Sequence, residues 1–180
     1  FRMDLASDPL AALDGYDGEL PVLATNRARW EGGEAGDDAE RLDALATAAT
    51  MDAVDAVDVE LASVLDGDGQ RVVERAREEG VAVVVSTHDF EGAGDAETMA
   101  TALDAGLEHG DVAKLAVTAA DRGDVLSLLA LTNEYDRDGD AVATIAMGEA
   151  GRHSRVVAPL YGSRIGYAPL DPADATAPGQ

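Results

Sequence analysis

The chain has 180 residues, 46% hydrophobic but only 4% aromatic, so its length suits one domain with a core of Val, Leu and Ala. Its formal net charge of -23, from 36 acidic and 13 basic residues, disfavours nucleic-acid binding, because phosphate neutralisation needs a basic face. Zero cysteines exclude disulfides, thiolate metal sites and cysteine nucleophiles.

The predicted elements alternate between strand-like runs and helix-like segments. "FRMD" (Phe1–Asp4) reads as a strand, and "SDPLAALDGY" as a helix with Ser7 as N-cap and Pro9 in its first turn. "PVLAT" (Pro21–Thr25) is the next strand. "DDAERLDALATAATM" then spaces Leu42, Leu45 and Ala49 along one helical face. The strand "VDAVDVEL" (Val54–Leu61) precedes the helix "GQRVVERAREEG", which ends at Gly80, a natural C′ residue. "VAVVVST" (Val81–Thr87) leads into "DAETMATALDAGLEHG", which ends the same way at Gly110. "VAKLAV" (Val112–Val117) is followed by the helix "ADRGDVLSLLALTNEY", and "AVATIAMG" (Ala141–Gly148) by "GRHSRVVAPLYG". The last of these is a short helix at best, because Pro159 interrupts it. "RIGYA" (Arg164–Ala168) is the seventh strand candidate.

The central strands are continuous and β-branched, as expected for parallel strands buried on both faces. Such alternation predicts an α/β fold. Phe1 falls within a strand pattern, so the expected fold is a (β/α)8 TIM barrel, a single domain over 1–180 that lacks an N-terminal strand. A doubly wound sheet is the alternative, but no G-x-G-x-x-G follows the first strand. The lack of a long apolar run or signal pattern predicts a soluble, cytoplasmic protein without membrane contact. The acids are spread along the whole chain, which favours a solvated acidic coat, as on proteins of salt-loving organisms, over an acidic interaction surface.

Ligands of parallel α/β folds sit at the C-terminal strand ends. Arg2, Arg27, Asp58, Glu60, Ser86, Thr87, His88, Lys114 and Met147 all fall there. Lys114 stands out as the only lysine; the other twelve basic residues are arginines. A buried ammonium pays desolvation, which yields some free amine, and a free amine attacks ketones to form a Schiff base. Arginine stays protonated and cannot do so. The structural alternative is an ion pair of Lys114 with Asp111 or Glu60. His88, at a strand end, is the best placed of three histidines for general acid–base work. His109 suits a helix C-terminus and His153 a surface loop. Without H-E-x-x-H spacing, a metal site is not expected. "TNRARWEGGE" (Thr25–Glu34) offers Arg27 for an anion and Glu31 to orient a histidine, or else is a surface loop turned by its glycines.

Taken together, "FRMD", "TNRARWEGGE", "VDVEL", "VVVSTHDFE", "DVAKLAV", "AMGEAGRHSR", "YGSRIGYA" and "ATAPGQ" resemble type I 3-dehydroquinate dehydratase, in order and over nearly the whole chain. The resemblance implies a Schiff-base hydro-lyase of the shikimate pathway, acting on 3-dehydroquinate without cofactor or metal, as a homodimer. It makes Lys114 the imine-forming lysine, His88 the general acid–base and Glu31 the carboxylate that positions and tunes it. Arg155 would grip the substrate carboxylate, with Arg2 and Arg27 as further substrate contacts. Thr176 and Gln180 would lie on a closing lid, and Met147 would line the site. Two other readings compete: a class I aldolase-like barrel, which would need a phosphate cradle, and a non-catalytic acidic binding module.

Overall fold

The computed structural model describes residues 1–169. The chain forms two compact units: Phe1–Ser86 with His109–Asp111, and Thr87–Glu108 with Val112 onward.

In the first unit, Phe1 and Arg2 lie along β1 (Leu23–Thr25). The Phe1 backbone nitrogen donates to the Leu23 carbonyl at 2.6 Å, the Thr25 amide donates to the Phe1 carbonyl at 2.9 Å, and Arg2 makes an isolated parallel bridge to Thr25. The expected strand Phe1–Asp4 stops there, because Met3–Leu5 is a 3-10 turn. Asp4 causes the change: its carboxylate collects Arg2 and the Arg27 and Glu34 amides, which turns the chain out of the ladder.

Helix α1 (Pro9–Asp14) has Pro9 in its first turn, but its N-cap is Asp8 rather than Ser7. The Asp8 carboxylate reaches the Ala11 amide at 3.2 Å and satisfies a donor the helix leaves open. Helix α2 (Asp38–Ala48) is capped by Asp37, which accepts from the Ala39 and Glu40 amides. Its Leu42, Leu45 and Ala48 are buried, and each leucine contributes about 1.5–3 kcal/mol by leaving water. Strand β2 (Ala56–Glu60) passes without a loop into α3 (Leu61–Leu65), a helix the sequence pattern hid at the end of an apolar run. Helix α4 (Gln70–Glu79) buries Val72, Val73 and Ala76 and closes on Gly80 at φ 75°, the left-handed value expected of a C′ glycine.

Strand β3 (Ala82–Asp89) follows. Both pairings in this unit are parallel: Thr25 lies beside Asp58, and Glu60 beside Ser86. This register brings Asp58, Glu60 and Ser86 to the strand ends together with Arg27.

The second unit contains most of α5 (Ala96–His109), then β4 (Val112–Thr118), α6 (Arg122–Asp138) and β5 (Val142–Met147). Strands β4 and β5 are parallel from Ala113↔Val142 to Thr118↔Met147, with Lys114 beside Ala143. All six β5 residues are buried, as a strand covered on both faces requires. Asp121 caps α6, which runs past Tyr135 to Asp138 before Gly139 ends it. Met99, Leu103, Leu115, Val117, Val125, Leu128 and Val142 form the core of this unit. The buried hydroxyls of Thr132 and Thr144 satisfy each other at 2.6 Å, which joins α6 to β5.

After β5 come α7 (Gly148–Gly151), α8 (Ser154–Val157) and a 3-10 turn at Ala158–Tyr161, in place of one helix. The expected strand Arg164–Ala168 does not form. The Arg164 amide donates to the Val142 carbonyl at 2.8 Å, but no ladder follows. Gly166 gives a strand no side chain to pack, and Pro169 has no N–H to donate. Among the described residues, no helix is long and apolar enough to cross a membrane.

Candidate active site

Each unit holds candidate site residues. In the first, Arg27 follows β1 directly and is 3% exposed. Its Nη2 donates to Asp58 Oδ1 at 2.7 Å. Its Nη1 reaches Ser86 Oγ at 2.7 Å, Glu60 Oε1 at 3.0 Å and Glu31 Oε2 at 3.4 Å. The Ser86 hydroxyl donates to Asp58 Oδ1 at 2.6 Å. Burial alone would lower the Arg27 pKa, but Asp58, Glu60 and Glu31 together outweigh it and hold the guanidinium charged. Arg27 is therefore fixed by three carboxylates rather than free to swing.

Glu31 ends the 3-10 turn Arg29–Glu31 and is buried, unusual for a glutamate. The turn is held from below. The Ala28 amide donates to Glu60 Oε1 at 2.9 Å, and Gly33 passes so close that a Cβ there would sit 2.0 Å from the Arg27 carbonyl oxygen. The two glycines thus do more than turn a surface loop. Gly32 adopts φ 77°, and Gly33 lets the chain fold back onto Arg27. Arg2 lies half-buried with its fork on Asp4, Nε to Oδ1 at 2.7 Å and Nη2 to Oδ2 at 2.5 Å.

Sequence reasoning missed Arg41. It comes from α2 with a side chain 1% exposed, donates to Glu60 Oε2 at 2.7 Å and to Ser63 Oγ at 2.8 Å, and lies 5.9 Å from the Trp30 ring centroid. No spacing rule links positions 41 and 60. The only cue was an arginine on the apolar face of α2, beside Leu42 and Leu45. Glu60 holds Arg27 and Arg41, while Asp111 accepts the Val83 amide at 2.8 Å.

In the second unit, Lys114 sits at the third position of β4 and is 6% exposed. Its Nζ lies over the face of Tyr167, 4.5 Å from the ring centroid. Tyr167 packs against Ala116, Ile145 and Met147, and Met147 is fully buried at the end of β5. Arg155, on α8, donates from Nη1 to the Tyr167 carbonyl at 3.3 Å. Burial lowers the Arg155 pKa, so an arriving carboxylate would meet a partly desolvated cation. His88 lies near the end of β3, half-buried, its ring stacked on Phe90 at 6.2 Å. Tyr167 was also missed, since it stood inside a segment read as a strand. His109 ends α5 and His153 is exposed, as their sequence positions suggested. Thr176 and Gln180 lie outside the described residues.

These arrangements can be set beside known proteins. Residues 4–180 match the family model described as type I 3-dehydroquinase. The chain is 59% identical to the 3-dehydroquinate dehydratase of Haloarcula marismortui over 99% of its own length and 80% of that protein. The crystal structure of 3-dehydroquinate dehydratase from Geobacillus kaustophilus is similar with a TM-score of 0.83 at 34% identity, covering 91% of this chain and 63% of that one. The type I 3-dehydroquinate dehydratase of Clostridium difficile, solved with covalently modified comenic acid, gives 0.82 at 30% identity, covering 96% and 68%.

Proposed function

This chain belongs to the type I 3-dehydroquinase family, and from that premise we propose that it dehydrates 3-dehydroquinate to 3-dehydroshikimate through a Schiff base on Lys114. Its α/β fold is of the (β/α)8 kind its structural neighbours share. The reaction is the hydro-lyase step of the shikimate pathway, toward aromatic amino acids.

The observation that carries the reading is the chain's one lysine, buried on β4 against the Tyr167 ring. The Lys114 amine adds to the C3 ketone and loses water, giving an iminium. The iminium withdraws electrons from C2, whose proton passes to His88. The enamine so formed expels the C1 hydroxyl, which takes the proton from His88 and leaves as water. Hydrolysis of the product iminium restores the amine. One histidine acting first as base and then as acid suits loss of both groups from one face. The iminium is itself the electron sink, so the chemistry needs no cofactor or metal.

Glu31 is the carboxylate that tunes the histidine, and Arg155 grips the substrate carboxylate. Arg27 and Arg2 support binding, with Met147 lining the site and Thr176 and Gln180 completing it. We extend the reading to a cytoplasmic homodimer, which light scattering of the purified protein would check.

Borohydride reduction with substrate or product, followed by mass mapping, is the direct test. An adduct on Lys114 is expected; its absence overturns the mechanism. Lys114→Ala should abolish both turnover and adduct. His88→Ala should slow turnover yet still form the imine.

A further inference from the structure

We infer that Arg41 is a positioning residue for the segment Asn26–Glu31, acting through Glu60 to hold the Glu31 carboxylate where the dehydration needs it; this rests on the function proposed above. One guanidinium reaches that segment at three places. Its Nη1 donates to the Asn26 carbonyl at 3.3 Å, and Asn26 Nδ2 returns a bond to the Arg41 carbonyl at 3.0 Å. Its plane lies 5.9 Å from the ring centroid of Trp30, next to Glu31. Through Glu60 it reaches the middle: Oε2 takes Arg41 at 2.7 Å, while Oε1 takes the Ala28 amide at 2.9 Å and Arg27 Nη1 at 3.0 Å. Glu60 is therefore a clamp with Arg41 on one oxygen and the Glu31-bearing turn on the other.

Burial makes this clamp rigid. The Arg41 and Glu60 side chains are 1% and 0% exposed, so their attraction is little screened by water. Helix α2 does not need the pair in order to dock, since Leu42, Leu45 and Ala48 already anchor it. Removing Arg41 leaves Glu60 with Arg27 and Ala28 but frees the carboxylate to rotate, and the turn moves with it. Lysine would serve Glu60 as a point charge but has no planar fork to hold Asn26 and Ser63 as well.

The test is a double-mutant cycle on the full-length enzyme. Arg41→Met should lower kcat about 10-fold in the native background, the scale of a small misplacement. In a Glu31→Gln background, where the carboxylate to be positioned is already gone, the further loss should stay under about twofold. Arg41→Lys should fall between, and borohydride trapping on Lys114 should persist in all of these variants. Equal losses in both backgrounds, or no loss in either, overturn the proposal. So does failure of both Arg41 variants to fold, read by near-UV circular dichroism in molar salt, which would make Arg41 a stability residue only. Absence of turnover in the unmutated enzyme overturns the function reading and this inference with it; turnover with additive losses overturns this inference alone.

Discussion

The Nζ of Lys114 lies over the face of the Tyr167 ring, 4.5 Å from its centroid. The ring's negative face favours a cation at that point by about 0.5–2 kcal/mol. An iminium on Lys114 is such a cation, whereas the carbinolamine before it and the enamine after it are neutral. Tyr167 should therefore hold the reaction in its electron-withdrawing form. Tyr167→Leu should reduce the borohydride-trapped fraction at equilibrium with product by about twofold to thirtyfold. Tyr167→Phe keeps the face and should trap as the native enzyme does. Equal trapping by the two variants would show that the ring only fills space.

Asp4 sets an acid limit on the first unit. Burial alone would raise its pKa. The Arg2 side chain and the Glu34 and Arg27 amides together outweigh that, and hold it below the ordinary 3.8. A carboxylate depressed on folding adds stability that is complete above 3.8 and disappears as pH falls through the lower folded value. Asp4→Asn should thus be less stable than the native chain near neutrality, and the gap should narrow in acid. Thermal melts of both proteins across the acid range would check this; a gap independent of pH would remove Asp4 as the cause.

Gly33 is a packing requirement rather than a turn preference. A Cβ there would meet the Arg27 carbonyl oxygen at 2.0 Å, a contact only backbone movement could relieve. Gly33→Ala should destabilise by about 1–3 kcal/mol, as overpacking does. It should also impair activity more than its effect on Tm explains, because the backbone that must move carries Arg27. Gly36→Ala, where a Cβ meets nothing within 4 Å, is the control that should behave as native.

The charge of -23 predicts a salt dependence. Self-repulsion among exposed carboxylates works against the compact state, and the screening length falls from about 10 Å at 0.1 M salt to about 3 Å at 1 M. Tm should therefore rise between low and molar potassium chloride. The similarity to a Haloarcula protein agrees with such a setting. A flat melting curve would assign the acid excess to something other than salt.

Much of this was legible in the sequence, for reasons that differ by element. Apolar runs rich in Val and Ala disclosed β3 to β5, because a strand buried on both faces admits few polar residues, while β2 showed itself as a short alternation of Val with Asp58 and Glu60. Gly80 ended its helix through the left-handed φ expected of a C′ glycine, whereas Gly110 follows the last residue of α5 without a positive φ. Lys114 stood out because a lone amine in an apolar run is costly. What spacing could not convey was pairing across the fold. Arg41 and Glu60 are nineteen positions apart, and nothing local in either segment names the other. The terminal elements failed for a related reason. "FRMD" and "RIGYA" have strand-like composition, but Asp4 pulls the first into a turn and Gly166 weakens the second. Tyr167 was lost with that second error.

As the only lysine of the chain, Lys114 is a spectroscopic singlet. Growth on [15N]lysine would label one residue of this chain, so a proton–nitrogen correlation spectrum would show one backbone amide, from the middle of β4. That signal would report imine formation, reduction and the substitutions at Tyr167 and Arg41 without assignment of any other resonance. A composition with a single lysine thus turns β4 into its own isotopic probe.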